Sequence, residues 1–277
     1  MNAAVAGSVA EALAAATDAL EAAGVETPGL DARLLLAEAT GIHGAGLIAA
    51  PEAGVDAAAG RAFGAMVRRR VQREPVAYIL GRKGFRRIEL EVDPRVLIPR
   101  PETELLVELA LEVGPGRALD VGTGSGAIAL AIADELPGTE MTATDTSLDA
   151  LAVAKANRDR LGSTDRVRLA HGTLESGPFD LVLANLPYVS EREWEGVAAE
   201  IRGFEPREAL VAGPSGLEAI EGLLGELSIA AAPAAIGLEV GIGQAPAVAG
   251  LARRAGFERI EIRADLAGID RVVAGWS

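Results

Sequence analysis

Asp120-Val121-Gly122-Thr123-Gly124-Ser125-Gly126-Ala127 closes a short apolar stretch, Arg117 to Val121, and opens a helical one rich in Ile and Ala. Three glycines at alternate positions let the chain turn sharply and let a ligand approach the backbone, and the helix that follows starts with unpaired N–H groups. Strand, glycine turn and helix in that order put a ligand site at the carboxyl end of a parallel strand. Outward from this turn the chain keeps alternating. Glu102 to Val113 reads as a helix, and strands are expected at Arg117 to Val121, Glu140 to Asp145, Arg166 to Ala170, Phe179 to Ala184, Ala235 to Val240, Arg259 to Ala264 and Arg271 to Ala274. The last two, joined by Asp265-Leu266-Ala267-Gly268-Ile269-Asp270, read as an antiparallel hairpin. The expected fold is α/β: a Rossmann-like, seven-stranded, mostly parallel sheet with an antiparallel C-terminal hairpin, preceded by a small helical domain.

Residues 8 to 74 carry helical signals only. Ser8 with Glu11 matches a capping box, Thr27 followed by Pro28 starts a second helix, and Gly24 and Gly41 stand where these helices stop. A third helix, from about Ala57 to Gln72, bears Arg68, Arg69 and Arg70, with Arg73 just beyond it; the run reads as a solvated face rather than a partner-docking patch. Between the two parts, Tyr78-Ile79-Leu80, Ile88-Glu89-Leu90-Glu91-Val92 and Val96-Leu97-Ile98 read as short strands around a hairpin. The expected division is therefore 1–74 helical, 75–100 a β-hairpin linker and 101–277 the α/β domain.

With 277 residues, 49% of them hydrophobic, the chain can bury a substantial core. A formal net charge of -14 disfavours a nucleic acid as primary partner. Cysteine is absent and the two histidines are His43 and His171, so disulfides, a cysteine nucleophile and thiolate or histidine-rich metal sites are ruled out, and no metal is expected. Glu11 and Asp18 interrupt the one N-terminal stretch that resembles a leader, and apolar runs such as Ala127 to Ala133 are too short to span a bilayer. A cytoplasmic protein, not bound to membrane, is expected.

Two cofactors fit the glycine turn. With Ala127 as its last small residue it satisfies a dinucleotide fingerprint, and Asp145, ending the next strand, suits a ribose in either scheme. Asp120, two positions before Gly122, matches the acidic start of an S-adenosylmethionine turn, whose cofactor-binding set is then Asp120, Gly122, Thr123, Gly124, Ser125, Gly126 and Asp145. The later tetrapeptide Asn185-Leu186-Pro187-Tyr188 favours this second choice. Asn185 can offer its side-chain oxygen, and Leu186 its main-chain carbonyl, to the two hydrogens of a planar NH2 group, and Tyr188 can stack on that group. Asn185 and Tyr188 are the candidate catalytic residues; Asn185, Leu186, Pro187 and Tyr188 form the candidate substrate site, with Asn185 also facing the cofactor. An amide nitrogen is a poor nucleophile, so methyl transfer to it demands orientation rather than deprotonation. These residues alone leave an amide and an adenine both open.

Several further segments occur together: Glu74-Pro75-Val76-Ala77-Tyr78-Ile79-Leu80-Gly81, Val96-Leu97-Ile98-Pro99-Arg100-Pro101-Glu102-Thr103-Glu104, Phe204-Glu205-Pro206, Gly216-Leu217 and Asp265 to Arg271. With them the chain resembles, over nearly its whole length, the glutamine N5-methyltransferases that modify peptide-chain release factors. The resemblance implies a class I methyltransferase domain, S-adenosyl-L-methionine as cofactor, and as substrate the glutamine of the Gly-Gly-Gln loop of class 1 release factors. It also implies that the helical domain helps hold the protein substrate and that Arg100, Glu102 and Thr103 lie near the cofactor or substrate entrance or cap the first helix. A monomer without direct nucleic-acid contact is expected. The family usually carries Asn-Pro-Pro-Tyr where Leu186 stands here, and commonly an acid within Gly172-Thr173-Leu174. Methylation of a glutamine in a ribosomal protein is the near alternative; adenine N6-methylation of DNA, cofactor binding without catalysis and nicotinamide chemistry are the remoter ones.

Overall fold

The computed structural model describes residues 5–42, 44–175, 177–229 and 233–277; His43 lies outside them. The chain forms two units, Met1–Gly81 with Ala198–Phe204, and Arg82–Val197 with Glu205–Ser277.

The first unit is built on helices Val9–Ala22, Pro28–Thr40 and Ala57–Val71. Ser8 and Glu11 form the reciprocal capping box, Pro28 opens the second helix, and Gly41 ends it in the left-handed region at φ 69°. Asp56 caps the third helix by accepting the amides of Ala58 and Ala59, which holds its carboxyl below the usual range. Leu20, Leu35, Leu36, Val25 and Phe63 interlock as the core. A two-stranded antiparallel ribbon, Val5–Ser8 with Gly54–Asp56, has no counterpart in the sequence reading, because each strand is too short for an alternating pattern.

Two expectations fail in this half. Tyr78-Ile79-Leu80 is not a strand: Val76–Leu80 is a helical turn that follows Pro75 and stops at Gly81, φ 71°. A five-residue apolar run carries too few positions to separate periods of 2.0 and 3.6. The arginine run is a solvated face only in part: Arg68 and Arg69 are exposed, but the rest is engaged. Arg70 is buried, its Nε 2.7 Å from Asp31 Oδ2 and its Nη2 3.1 Å from Glu200 Oε1, while Arg73 holds the other Glu200 oxygen at 2.7 Å and Arg69 grips Glu74. Glu200 belongs to the helix Ala199–Phe204, which comes from far along the chain.

The second unit centres on a seven-stranded sheet. Its order is Arg259–Ala264, Asp270–Trp276, Ala235–Glu239, Leu181–Ala184, Arg117–Val121, Glu140–Asp145, Val167–His171. Asp270–Trp276 runs antiparallel to both neighbours and every other pairing is parallel. The middle strands read LVLA and AIGLE and are buried on both faces, as parallel strands covered by helices must be. Gly237 is required for that packing: a Cβ there would lie 2.5 Å from Leu109 Cδ2 and 2.8 Å from Leu183 Cδ2.

A hairpin does form and belongs with this sheet unit, but the expected strand at Ile88–Glu91 pairs with Arg82–Phe85, which is not among the expected strands. Asn157 ties the hairpin down: its side chain bonds both main-chain polar groups of Glu91 and the Ser125 carbonyl. Val96-Leu97-Ile98, by contrast, forms no strand. Pro99 and Pro101 remove two donors a ladder needs, and the Ile98 amide goes instead to Glu205 Oε2 at 3.0 Å. Among the described residues, no helix is long and apolar enough to cross a membrane.

Candidate active site

Four parallel neighbours in the sheet end at one edge, and each ends on a polar residue or a glycine turn. Register places Val121 beside Thr144 and Ala184, and Ala184 beside Leu238, so Gly122, Asp145, Asn185 and Glu239 follow along that edge. A cavity of about 400 Å³ opens there, within the size range of small-molecule sites. Gly122, Thr123, Gly124, Asp145, Gly172, Thr173, Thr103, Asn185, Leu186 and Pro187 contribute to its wall. The glycine turn and the tetrapeptide therefore share one cavity.

Gly122, Gly124 and Gly126 all have positive φ, 74°, 56° and 86°. A Cβ on Gly122 would stand 3.0 Å from Leu186 Cδ2, and one on Gly126 would stand 2.8 Å from Leu130 Cδ1, so the turn accepts no larger residue without moving. Asp145 stabilises the turn from the side: Oδ2 accepts the Gly124 amide at 2.9 Å and Oδ1 the Ser147 amide at 2.8 Å. Each oxygen keeps a further lone pair, which suits a vicinal diol.

Asp120, Ser125, Gly126 and Tyr188 are not in the cavity wall. Asp120 lies beneath the turn with 0% exposure, its Oδ2 accepting from Thr123 Oγ1 at 2.6 Å and more weakly from the Ala129 amide, and its Oδ1 buried without a partner among the described residues. Its path to a ligand runs through Thr123, which does line the cavity. Burial pushes its carboxyl up to about 7, against the hydrogen bonds from Thr123 and Ala129. The folded protein therefore retains this proton between about pH 4 and pH 7 while the unfolded chain has released it, and stability falls as pH rises through that window. Asp120→Asn is expected to stabilise the ligand-free protein above pH 7, by an amount on the order of a few kcal/mol that raises its melting temperature, with no gain below pH 4. Thermal scans of both proteins at pH 4, 6 and 8 check this.

The tetrapeptide is held from several sides. Asn185 Nδ2 donates to Thr103 Oγ1 at 3.0 Å. The Tyr188 and Val189 amides both donate to the Leu210 carbonyl, and Gln244 Nε2 donates to the Tyr188 carbonyl at 2.9 Å. Gly216 makes room for that arrangement, since its Cβ would fall 2.5 Å from the Tyr188 carbonyl. Leu186 packs its side chain against the sheet core, and among the described residues nothing donates to its carbonyl. The tyrosine hydroxyl points at Glu239 Oε1, 3.5 Å away, and burial next to that carboxyl raises it to about 12. Tyr188 is thus protonated at neutral pH and cannot act as a base.

Arg100 pairs with Glu205 at 2.5 Å, and Glu205 also takes the Ile98 amide, so Glu205 braces the 96–104 loop. Thr103 makes no side-chain cap to the helix Glu104–Val113; its hydroxyl serves the site instead. Reading the sequence overlooks Gln244, Asn157 and above all Glu239. A carboxylate closing the wholly apolar run Ala235-Ile236-Gly237-Leu238 was the one available signal for the last.

Residues 11–81 match the model described as PrmC N-terminal domain, and residues 101–202 the one described as Methyltransferase small domain. The chain is 39% identical over 270 residues to the release factor glutamine methyltransferase of Caulobacter vibrioides, covering 94% of this chain and 93% of that one. It is 40% identical to the protein of that name from Nitratidesulfovibrio vulgaris, covering 92% and 90%, and 42% identical to that from Bordetella pertussis, covering 90% and 95%. Among solved structures, the hMettl16 catalytic domain in complex with MAT2A 3'UTR hairpin 6 superposes with a TM-score of 0.56 at 16% identity, over 68% of this chain and 75% of that one. A methyltransferase from Pyrococcus furiosus gives 0.51 at 19% identity, over 68% and 87%. At such identities these two structures support the fold alone.

Proposed function

The chain belongs to the release factor glutamine methyltransferase family, and from that premise we propose that it transfers a methyl group from S-adenosyl-L-methionine to the side-chain amide nitrogen, N5, of the Gly-Gly-Gln glutamine in class 1 release factors. The observation that carries this reading is the single cavity joining Asp145 and the glycine turn to Asn185 and Leu186.

The residues fit the cofactor on two counts: the positive-φ glycines leave space that a Cβ would fill, and a buried carboxylate oxygen of Asp120 stands unpartnered behind Thr123. Asp145 would hold the ribose hydroxyls, Gly122 and Gly124 would face the cofactor with Ser125 and Gly126 completing the turn behind them, and Asp120 would act on its cationic end through Thr123. When bound, the cofactor supplies an electrophilic methyl carbon on a sulfonium. The protein's part is orientation. Asn185 Oδ1 and the Leu186 carbonyl accept the two hydrogens of the substrate NH2, so its lone pair projects out of the amide plane toward the methyl carbon. Those acceptors also favour the pyramidal nitrogen that develops positive charge, and the extra proton of the product leaves to water. Pro187 keeps Leu186 extended, which presents that carbonyl in spite of the missing first proline. Tyr188 stands behind the cavity wall, held at its carbonyl by Gln244 and carrying a neutral hydroxyl.

The protein partner is a release factor, held in part by the helical domain of residues 1–74. A formal net charge of -14 supports a protein rather than a nucleic acid as partner; a monomeric enzyme in the cytoplasm belongs to the same proposal. Incubation with labelled cofactor and either purified release factor or ribosomal subunits is expected to label the release factor. Label confined to ribosomal protein contradicts the assignment.

A further inference from the structure

Gln244 stands immediately before the helix Ala245–Arg254, where a short oxygen-bearing side chain would cap the first turn, yet its own side chain makes no cap. It reaches instead into three other segments. Nε2 donates to the Tyr188 carbonyl at 2.9 Å and to the Gly216 carbonyl at 3.3 Å, and Oε1 accepts the Gly241 amide at 2.9 Å. The orientation of this side-chain amide is fixed by its partners, since a carbonyl can only accept and an N–H can only donate. Two glycines make room for it: a Cβ on Gly216 would lie 2.9 Å from Nε2, and one on Gly241 would lie 2.9 Å from Oε1. Gln244 does not itself line the cavity, so any part it plays in the chemistry runs through the segments it holds.

The segment that bears on the chemistry is the far end of the tetrapeptide. The Tyr188 and Val189 amides go to the Leu210 carbonyl at 3.1 and 2.9 Å, while the Tyr188 carbonyl goes to Gln244, so the peptide group between 188 and 189 is held from two directions. Peptide units are planar and Pro187 locks its own φ. One soft torsion, ψ of Pro187, therefore separates the plane carrying the Leu186 carbonyl from the plane carrying the Tyr188 amide. A swing of the Tyr188 peptide turns the Leu186 carbonyl with it.

We propose that Gln244 is a positioning residue for methyl transfer, clamping the Tyr188 carbonyl so that the Leu186 carbonyl stays aimed at the substrate NH2; this rests on the reading of that carbonyl as one of the two acceptors. Leu186 gives the clamp its importance. Without a ring at 186, the φ of that residue is not locked, and restraint has to come from side-chain packing on one side and from beyond Pro187 on the other. Gln244 supplies the second.

Two variants test this, with release factor as substrate and cofactor saturating. Gln244→Met keeps the volume and removes both the donor and the acceptor. Its kcat is expected to fall roughly ten- to a hundredfold, the cost of a small misplacement of an orienting group. Its calorimetric affinity for S-adenosyl-L-methionine should be unmoved, because Gln244 bonds neither the glycine turn nor Asp145. Gln244→Glu has nearly the same shape. Ionised, it sets a carboxylate against two carbonyls; protonated, it can donate to Tyr188 again. The ratio of its kcat to the parent's is expected to be low at pH 8 and to rise about tenfold per pH unit as the new carboxyl takes up its proton.

The charged and titratable groups facing Gln244 from the surrounding segments are Tyr188, Glu193 at Ser190, Glu218 at Gly216, Glu239 before Gly241, and Arg271 at Val240. Tyr188 is raised to about 12, and hydrogen bonds hold Glu193 and Glu218 below the usual carboxylate range. Glu239, raised by burial to about 7, titrates in parent and variant alike, which is why the ratio is read rather than kcat itself. Parent-like kcat in Gln244→Met overturns the proposal, as does a Gln244→Glu ratio that stays flat across pH. If Gln244→Met does not fold, the Gln244→Glu ratio decides; failure of both to fold at any pH places Gln244 in the architecture and equally overturns it. A parent that methylates no release factor at any pH would instead refute the functional reading on which the proposal rests.

Discussion

Asn185→Ala is expected to lower kcat for release factor methylation by about two to three orders of magnitude, the range seen when one preorganised transition-state hydrogen-bond group is removed. The loss should fall mainly on kcat. In the proposed site the cofactor would rest chiefly on the glycine turn and Asp145, so its KM should change only a few-fold, and the melting temperature should stay close to the parent's because Asn185 is only half-buried. Stopped assays with release factor, together with calorimetric binding of cofactor, separate the two effects. Turnover within a few-fold of the parent contradicts the assignment of Asn185 as the acceptor that orients the substrate. Combined loss of cofactor binding and fold would place Asn185 in the architecture rather than in the chemistry.

The second large effect concerns stability. Arg70→Ala removes the cation that Asp31 and Glu200 share, whose side chains in the pairs are 8% and 16% exposed. Two carboxylates then remain partly buried, with Arg73 alone to serve Glu200. Breaking such a pair costs about 3–5 kcal/mol, and the unfolding midpoint of the helical unit should shift accordingly. Arg70→Lys should recover only part of it, since a point charge on a flexible stem cannot reach the Nε, Nη1 and Nη2 partners at once. Chemical unfolding followed by circular dichroism measures this. A change below about 1 kcal/mol would mean the cluster is a solvated face, as the sequence pattern had suggested.

The contrast between Arg70 and the sheet shows what a sequence discloses. Strands such as Leu181–Ala184 and Ala235–Glu239 lie within the expected bounds because burial on both faces writes a continuous apolar run. Caps at Ser8 and Gly41 are local, and local signals are legible. Arg70 could not be read, because its partners lie 39 and 130 residues away. The same holds within the site. Asp145 and the glycine turn announce themselves by spacing, and Asn185 to Tyr188 by their chemistry. Thr103, 82 residues from Asn185, and Gln244, 56 from Tyr188, are brought in only by the folded sheet. Val96-Leu97-Ile98 misled for the opposite reason: its β-branched residues favour a strand, but two nearby prolines and the Glu205 carboxylate take its backbone elsewhere.

Leu186 replaces a proline without leaving a gap. Its side chain packs on the core and closes over Gly122, so the tetrapeptide gains from packing some of the rigidity a ring would have given. Asn185 is fixed from the other side by Thr103. The carbonyl of Leu186 and the oxygen of Asn185 are consequently preorganised, which is what an orientation-dependent methyl transfer requires.

The most direct test of the account is tandem mass spectrometry of a class 1 release factor after incubation with the protein and S-adenosyl-L-methionine. One added methyl on the side-chain amide of the Gly-Gly-Gln glutamine, absent when Asn185→Ala replaces the parent, is the predicted result. An unmodified glutamine, or a methyl on any other residue, would contradict it.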